Sequence, residues 1–471
     1  MKTTLTSLAP ELIEEICAQV RAAIQGYIGE HSMVFRYARV LRIRFGSNSG
    51  TSNKEGWKQI KMPGMSDSFL VPILSAFQLV RSAEWIVESP DPCPQIIDAL
   101  STLPALTTLI LHFNGSPFHD ISLIKLDHLQ RLSVSNTKDA RFTEDLFTQI
   151  SQYMETKATL THVSIETAAP GLRFPFPAQP RQPAPASIEA PNAQPDSVID
   201  ADTAPPPTQQ TPSSSIQFLR IHGCGFRFKS RPHLSTLTTL EIYHNQIPTN
   251  ASIWTILQNA NVKLKRIVVD SVPLPLLTYL KSYAGLEKLA ISIPAASRNH
   301  HNHQWEWDHM NGHVDRSDFY EKVIGRHHDT LESLSLYKFS PVGDWDARMD
   351  ADVETLLRCS RLSTLSIDFD VSDLSKVSIR LSNLLSTALQ FDDLRLLAIN
   401  WVTTQNKDIS LERWGLERNI VEYHIPRQAA FKISTGLNLF EPRVKGDGKR
   451  RWQQVTIKAG GDIAMGLGWV L

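Results

Sequence analysis

The chain has 471 residues, enough for two or three ordinary domains or one long repeat array. Lys+Arg and Asp+Glu both number 48, so the formal net charge is zero and no global field favours nucleic acid or an acidic membrane surface. Cys17, Cys93, Cys224 and Cys359 are far apart with no CxxC pair, which argues against a disulfide framework or a zinc knuckle and fits a reducing compartment. No segment reaches the roughly 18 apolar residues of a membrane span. Glu11, Glu14 and Glu15 interrupt the region where a secretory signal would be apolar. The expectation is a soluble protein, cytoplasmic and/or nuclear, with protein partners, no nucleic acid, no membrane and no cofactor.

In chain order, residues 8 to 20 read LAPELIEEICAQV. Pro10 suits a first helical turn, where its missing N–H is not needed. Leu12, Ile13, Ile16 and Val20 form one apolar face, and the glutamates favour the N-terminal end. The stretch predicts a helix, read either as an N-terminal cap or as a docking element.

From there an apolar triplet at i, i+3 and i+5 recurs. Its clear copies are LTTLIL at 106, LQRLSV at 129, LTHVSI at 160, IQFLRI at 216, LTTLEI at 237, LKRIVV at 264 and LEKLAI at 286. LESLSL at 331, LSTLSI at 362 and LRLLAI at 394 continue it, and weaker copies start at Ala38 and Val80. The last two members of each triplet sit two apart, so they point to one face of a short strand. Steps of 26, 23, 31, 21, 27 and 22 separate most of the copies between 80 and 286. They cluster around the period of leucine-rich repeats, about 20–29 residues. LTTLEIYHNQI matches the full repeat pattern, with Asn245 and Ile247 in place. Asn114 and Cys224 fill the same turn slot, whereas Pro294, Phe339, Asp370 and Val402 depart from it and predict irregular turns. Amphipathic stretches lie between strands: FTEDLFTQISQYM, DFYEKVIGRHH after Ser317, VETLLRC and LSNLLSTALQF. The alternation predicts an α/β leucine-rich-repeat solenoid, a horseshoe of roughly ten to twelve strands. A doubly wound sheet with leucine-rich strands is the alternative.

Two steps are long. The step from 160 to 216 holds a segment with 12 of the 28 prolines, too poor in apolar surface to offset its ordering entropy, so 168–214 is expected to be disordered. It contains PxxP, as at Pro180 to Pro183, a spelling that docks SH3-like grooves. The step from 286 to 331 holds RNHHNHQWEWDHMNGH. His309 and His313 have helical spacing, but Gly312 intervenes and no Glu follows the first His, so the loop is read as a polar one pinned by Trp305 and Trp307, with no metal. No nucleophile elbow, Walker loop, dinucleotide fingerprint or kinase signature is present, and no enzyme is expected. Gly446-Asp447-Gly448-Lys449 lacks phosphate-loop spacing and predicts a hairpin turn before RRWQQVTI. The apolar tail GGDIAMGLGWVL is expected to cap the array.

The opening helix resembles the start of an F-box, LPxELLxxI, with Leu8, Pro10, Leu12, Ile13 and Ile16 in the matching places and Ala9 in place of the first proline. F-box followed by leucine-rich repeats is the order of the F-box/leucine-rich-repeat family of fungal type. That resemblance implies a substrate receptor of a cullin-RING ubiquitin ligase. Those five residues would bind a Skp-type adaptor, and the repeats would hold a protein partner. The alternative is a leucine-rich-repeat scaffold with no ubiquitin link. The organisation expected is an F-box-like remnant at 1–37, repeats at 38–167, the insertion at 168–214, repeats at 215–410 with a His-rich loop at 296–316, and a C-terminal cap at 411–471. Partner contacts are expected on the concave strand face, from x positions that point to solvent: Arg131, Glu241, Tyr243, Arg266, Lys288, Tyr337, Asp368 and Asn400.

Overall fold

The computed structural model describes residues 39–44, 77–87, 93–113, 121–137, 139–157, 159–167, 172–176, 215–228, 234–243, 251–270, 272–291, 318–336, 350–371, 374–402, 410–425, 430–435, 438–444, 446 and 448–455. These are mixed α/β. They fall into two compact units, Met1–Phe218 with Gly223–Thr236, and Leu219–His222 with Leu237–Leu471.

Unit 1 carries five parallel strands in chain order: β1 (Val40–Arg44), β2 (Ser82–Val87), β3 (Thr108–Phe113), β4 (Arg131–Thr137) and β5 (His162–Thr167). The register joins the triplets tier by tier. Leu41, Ala83, Leu109, Leu132 and Val163 form one buried row, and Ile43, Trp85, Leu111, Val134 and Ile165 the next. Each Leu, Ile or Val among them contributes about 2 kcal/mol by leaving water. The weak copies at Ala38 and Val80 are therefore genuine strands. Helices α1 (Cys93–Ser101) and α2 (Ala140–Thr156) close this apolar face. The Asp139 side chain caps α2 by accepting from the Phe142 N–H at 2.9 Å, and Leu146, Phe147, Ile150 and Met154 are buried as their spacing requires.

One strand departs from the sequence expectation. Within the segment expected to be disordered, Arg173–Phe176 forms β6, paired in parallel with β8 (Gly225–Phe228). Phe174 is fully buried against Phe147. Residues 177–214 and the His-rich loop lie outside the described residues. Gly223 makes the turn into β8 at φ +81, and a Cβ there would come within 1.9 Å of the Thr167 carbonyl oxygen, so no other residue fits.

Unit 2 repeats the plan. Leu219–His222, most of β7 (Phe218–His222), is followed by β9 (Thr239–Tyr243), β10 (Arg266–Val269), β11 (Lys288–Ile291), β12 (Ser333–Leu336), β13 (Thr364–Asp370), β14 (Leu396–Val402) and β15 (Lys432–Ser434). From β9 to β15 every pairing is parallel and follows chain order. The order does not double back within either unit, unlike a doubly wound sheet. The helices are α3 (Ala251–Asn259), α4 (Leu274–Lys281), a π-helical turn (Phe319–Ile324) running into α5 (Gly325–His327), α6 (Asp350–Leu357), α7 (Leu374–Ala388) and α8 (Ser410–Glu422). Two antiparallel strands finish the sheet, β16 (Leu439–Val444) and β17 (Arg450–Val455), the hairpin expected around Gly446 and Gly448. Trp452 is buried there and donates from its indole N–H to the Phe431 carbonyl. The tail after Val455 lies outside the described residues. Among the described residues no helix is long and apolar enough to cross a membrane.

A backbone device recurs in both units. One carbonyl ahead of each strand accepts two successive N–H groups from the next repeat. Thr107 O receives Gln130 and Arg131, Gln130 O receives Thr161 and His162, Lys265 O receives Glu287 and Lys288, and Glu332 O receives Ser363 and Thr364. A hydroxyl ladder runs beside it. Thr159, Ser215, Thr236 and Thr330, each just before a triplet, donate to the carbonyls of Leu129, Leu160, Ile216 and Leu286 in the repeat before.

Candidate interaction surface

Because side chains alternate along a strand, the residues between the buried triplet members project from the face opposite the helices. This face, free of helices among the described residues, is the candidate site of each unit.

In unit 1 it is a solvated polar cluster. Arg42 donates from Nε and Nη2 to Glu84 Oε2 at 3.0 and 2.8 Å. The other Glu84 oxygen lies 3.9 Å from His112 Nε2, and His112 Nδ1 is 2.6 Å from the Ser135 hydroxyl. The pair is open to water, with Arg42 60% and Glu84 22% exposed, so it is worth at most about 1 kcal/mol. Ser135 sits where β4 slips register against β5, between Val134 and Thr137. Arg131 is exposed, as expected. His162, in register beside it, stacks on Phe218 with ring centroids 5.5 Å apart. Burial, and then the charge of Arg131, push the His162 imidazole below its usual range.

In unit 2 the same face is built around a buried acid. Glu241 is 0% exposed. It accepts from Arg220 Nε at 2.5 Å through one oxygen and pairs with Arg266 Nη2 at 3.1 Å through the other. The two arginine side chains are 38% and 26% exposed. Val268 and Ala290 continue Glu241's row in register and pack with Tyr243. Burial, followed by the Glu241 charge, pushes the Tyr243 phenol up. Lys288 lies beside Arg266 in register, half-buried. Further along, Asp368 pairs in register with Asn400, whose amide donates to Ser366 Oγ at 3.3 Å.

Three of the expected contact residues do not point to solvent. Glu241, Tyr243 and Asp368 are buried, with exposures of 0, 5 and 4%. For Glu241 the reason is the two guanidiniums that close over it; a carboxylate goes under only when paired. Tyr243 is held by the apolar patch and by His222, whose ring is 6.0 Å away. Arg131, Arg266, Lys288 and Asn400 keep access to water. Tyr337 lies outside the described residues, as do Leu8, Pro10, Leu12, Ile13 and Ile16. The sequence reading missed Arg220, Glu84 and His112. Arg220 was findable: it occupies in IQFLRI the slot that Glu241 occupies in LTTLEI, and opposite charges in one slot of successive repeats meet across neighbouring strands.

No family model matches the chain. No curated protein matches it in sequence. Among solved structures it is similar to a chain in the crystal structure of the Rad7 and Elc1 complex in yeast, at 11% identity and a TM-score of 0.37, over 73% of this chain and 69% of that one.

Proposed function

We propose that the chain is a leucine-rich-repeat solenoid that recognises a protein partner on its concave strand face, and that it acts as an F-box-like substrate receptor of a cullin-RING ubiquitin ligase. The observation that carries recognition is the helix-free face of unit 2. Arg220, Glu241, Arg266 and Lys288 come from four strands in succession, with Glu241 buried and paired with both arginines. Rigid strands holding charged groups in fixed register suit selective binding of one protein surface. The receptor role rests on LAPELIEEI ahead of the repeats. The reading is one of binding and positioning, with no chemical step of its own.

The test is capture of a Skp-type adaptor by the full chain, against a variant carrying Leu12→Asp and Ile16→Asp. Capture by the first and not the second is expected. Absence of capture by either makes the helix a cap and the protein a scaffold. One observation favours that second reading. β1 begins at Val40, twenty residues after Val20, less chain than the remaining helices of an F-box occupy.

A further inference from the structure

We infer that unit 1 holds a second binding site at the N-terminal rim of its strands, where Arg39 and Arg81 take the carboxylates of a short acidic segment of a protein partner. This goes beyond the recognition reading above, which the face of unit 2 carries.

The rim is the column of residues one place ahead of each strand, through which repeat joins repeat along the backbone. In unit 2 that column includes Lys265, Glu287, Glu332 and Arg395, two cations and two acids. Its acids are answered within the unit. Lys265 donates to Glu287 at 2.8 Å, and Arg361 donates to Glu332 at 2.5 Å. In unit 1 the column reads Arg39, Arg81, Thr107, Gln130, Thr161 and Gln217, with no acid in it.

Four observations point to an anion there. First, Arg39 and Arg81 are neighbours, joined by the Arg81 N–H to the Arg39 carbonyl at 2.9 Å. Like charges on adjacent strands repel unless an anion spans them. Second, both side chains are exposed, and neither makes an ion pair among the described residues. Arg39 donates from Nη1 to the Leu79 carbonyl at 3.4 Å, which turns its guanidinium toward the segment leading into Arg81. Third, nearby acids of unit 1 are engaged by other cations: Glu84 by Arg42, Asp98 by Lys125 and Asp127 by Lys157. Fourth, the far end of the rim is open. Gln130 is exposed, with an amide that both donates and accepts, and Arg131 beside it is an exposed cation with no ion pair among the described residues.

Geometry sets the length of the segment. Arg39 to Gln130 spans three strand spacings, about 14 Å. An extended chain covers this in about four residues, so a segment of about five lays two carboxylates over Arg39 and Arg81 and one near Arg131. The zero net charge of the chain supplies no wider field for a long polyanion, which favours a short protein segment over nucleic acid.

The experiment is fluorescence anisotropy with the full-length protein at low salt. The probe is a labelled peptide with two Glu at one end, one Glu at the other and Ser between them. The same peptide with Lys for Glu, and a single-stranded oligonucleotide of equal charge, are the comparisons. The acidic peptide is expected to bind, and to weaken as salt rises. Arg81→Glu is expected to weaken it at least about tenfold, and Arg39→Gln about threefold. Arg395→Glu, in the same column of unit 2, leaves it unchanged. Circular dichroism shows whether each variant is folded. Arg81 is chosen because its side chain breaks no pair among the described residues, and Arg39→Gln carries the test if Arg81→Glu does not fold. Any of four results overturns the inference: no binding of the acidic peptide, full binding by the folded Arg81 or Arg39 variant, an equal loss with Arg395→Glu, or tighter binding of the basic peptide or the oligonucleotide. Adaptor capture reads residues 8–20, so its failure leaves this result standing.

Discussion

The two units place an Arg–Glu pair on equivalent faces of similar strands, yet bury them differently. In unit 1, Glu84 keeps contact with water and Arg42 is mostly exposed. In unit 2, Glu241 has none, and two arginines close over it. The first arrangement is a solvated pair that salt and side-chain entropy largely cancel. The second cannot lose a partner without leaving a charge out of water. Position in a repeat therefore does not set energetic weight; desolvation does.

That contrast is open to direct test. The largest effect expected is from Glu241→Ala, which removes the buried charge that both guanidiniums share and costs about 3 kcal/mol in urea unfolding, against less than about 1 kcal/mol for Glu84→Ala. Equal costs would break the comparison. Next comes pH. His327 is buried, accepts from the Leu286 N–H through Nδ1 and faces the Leu280 carbonyl through Nε2, a pattern only the neutral ring satisfies. Burial brings it down to about 4 from an ordinary 6.5. The unfolded chain then binds the extra proton between those values. Stability is complete above about pH 6.5 and falls as pH drops toward 4, by about 3 kcal/mol in all. Urea midpoints across that range measure it, and His327→Gln should flatten the slope. A smaller effect is expected from the hydroxyl ladder: Thr159→Val in unit 1 and Thr330→Val in unit 2 each cost about 1 kcal/mol. Matching values would sharpen the comparison by confining the difference to the helix-free faces. Smallest is Arg42→Ala, within about 0.5 kcal/mol, its loss shrinking further as salt rises.

The triplets were legible because period 2 within a strand and a near-constant step between strands are local properties of the chain. Leu109, Leu132 and Val163 align in the structure as they do in the sequence. Strand β6 was not legible. RFPF gains its strand only from pairing with GFRF some fifty residues on, and proline-rich surroundings gave no hint of that partner. The contact surface was half legible. Alternation tells which residues leave the apolar face. It does not tell which of them a neighbour then covers, and so Glu241, Tyr243 and Asp368 read as solvent-facing. The Thr or Ser before four of the triplets, at 159, 215, 236 and 330, was visible but silent, because its acceptor is a backbone carbonyl one repeat away.

The two-to-one backbone hand-off has an evolutionary consequence. It engages only the residue before each strand and the strand's first residue, so the connection from one strand to the next is free to vary in length. Thr161 O receives the N–H groups of Gln217 and Phe218 across the longest step, just as Lys265 O receives Glu287 and Lys288 across one of the shortest. New sequence can therefore be grafted between repeats without re-engineering the strands, and the lineage can try out loops while its scaffold stays fixed.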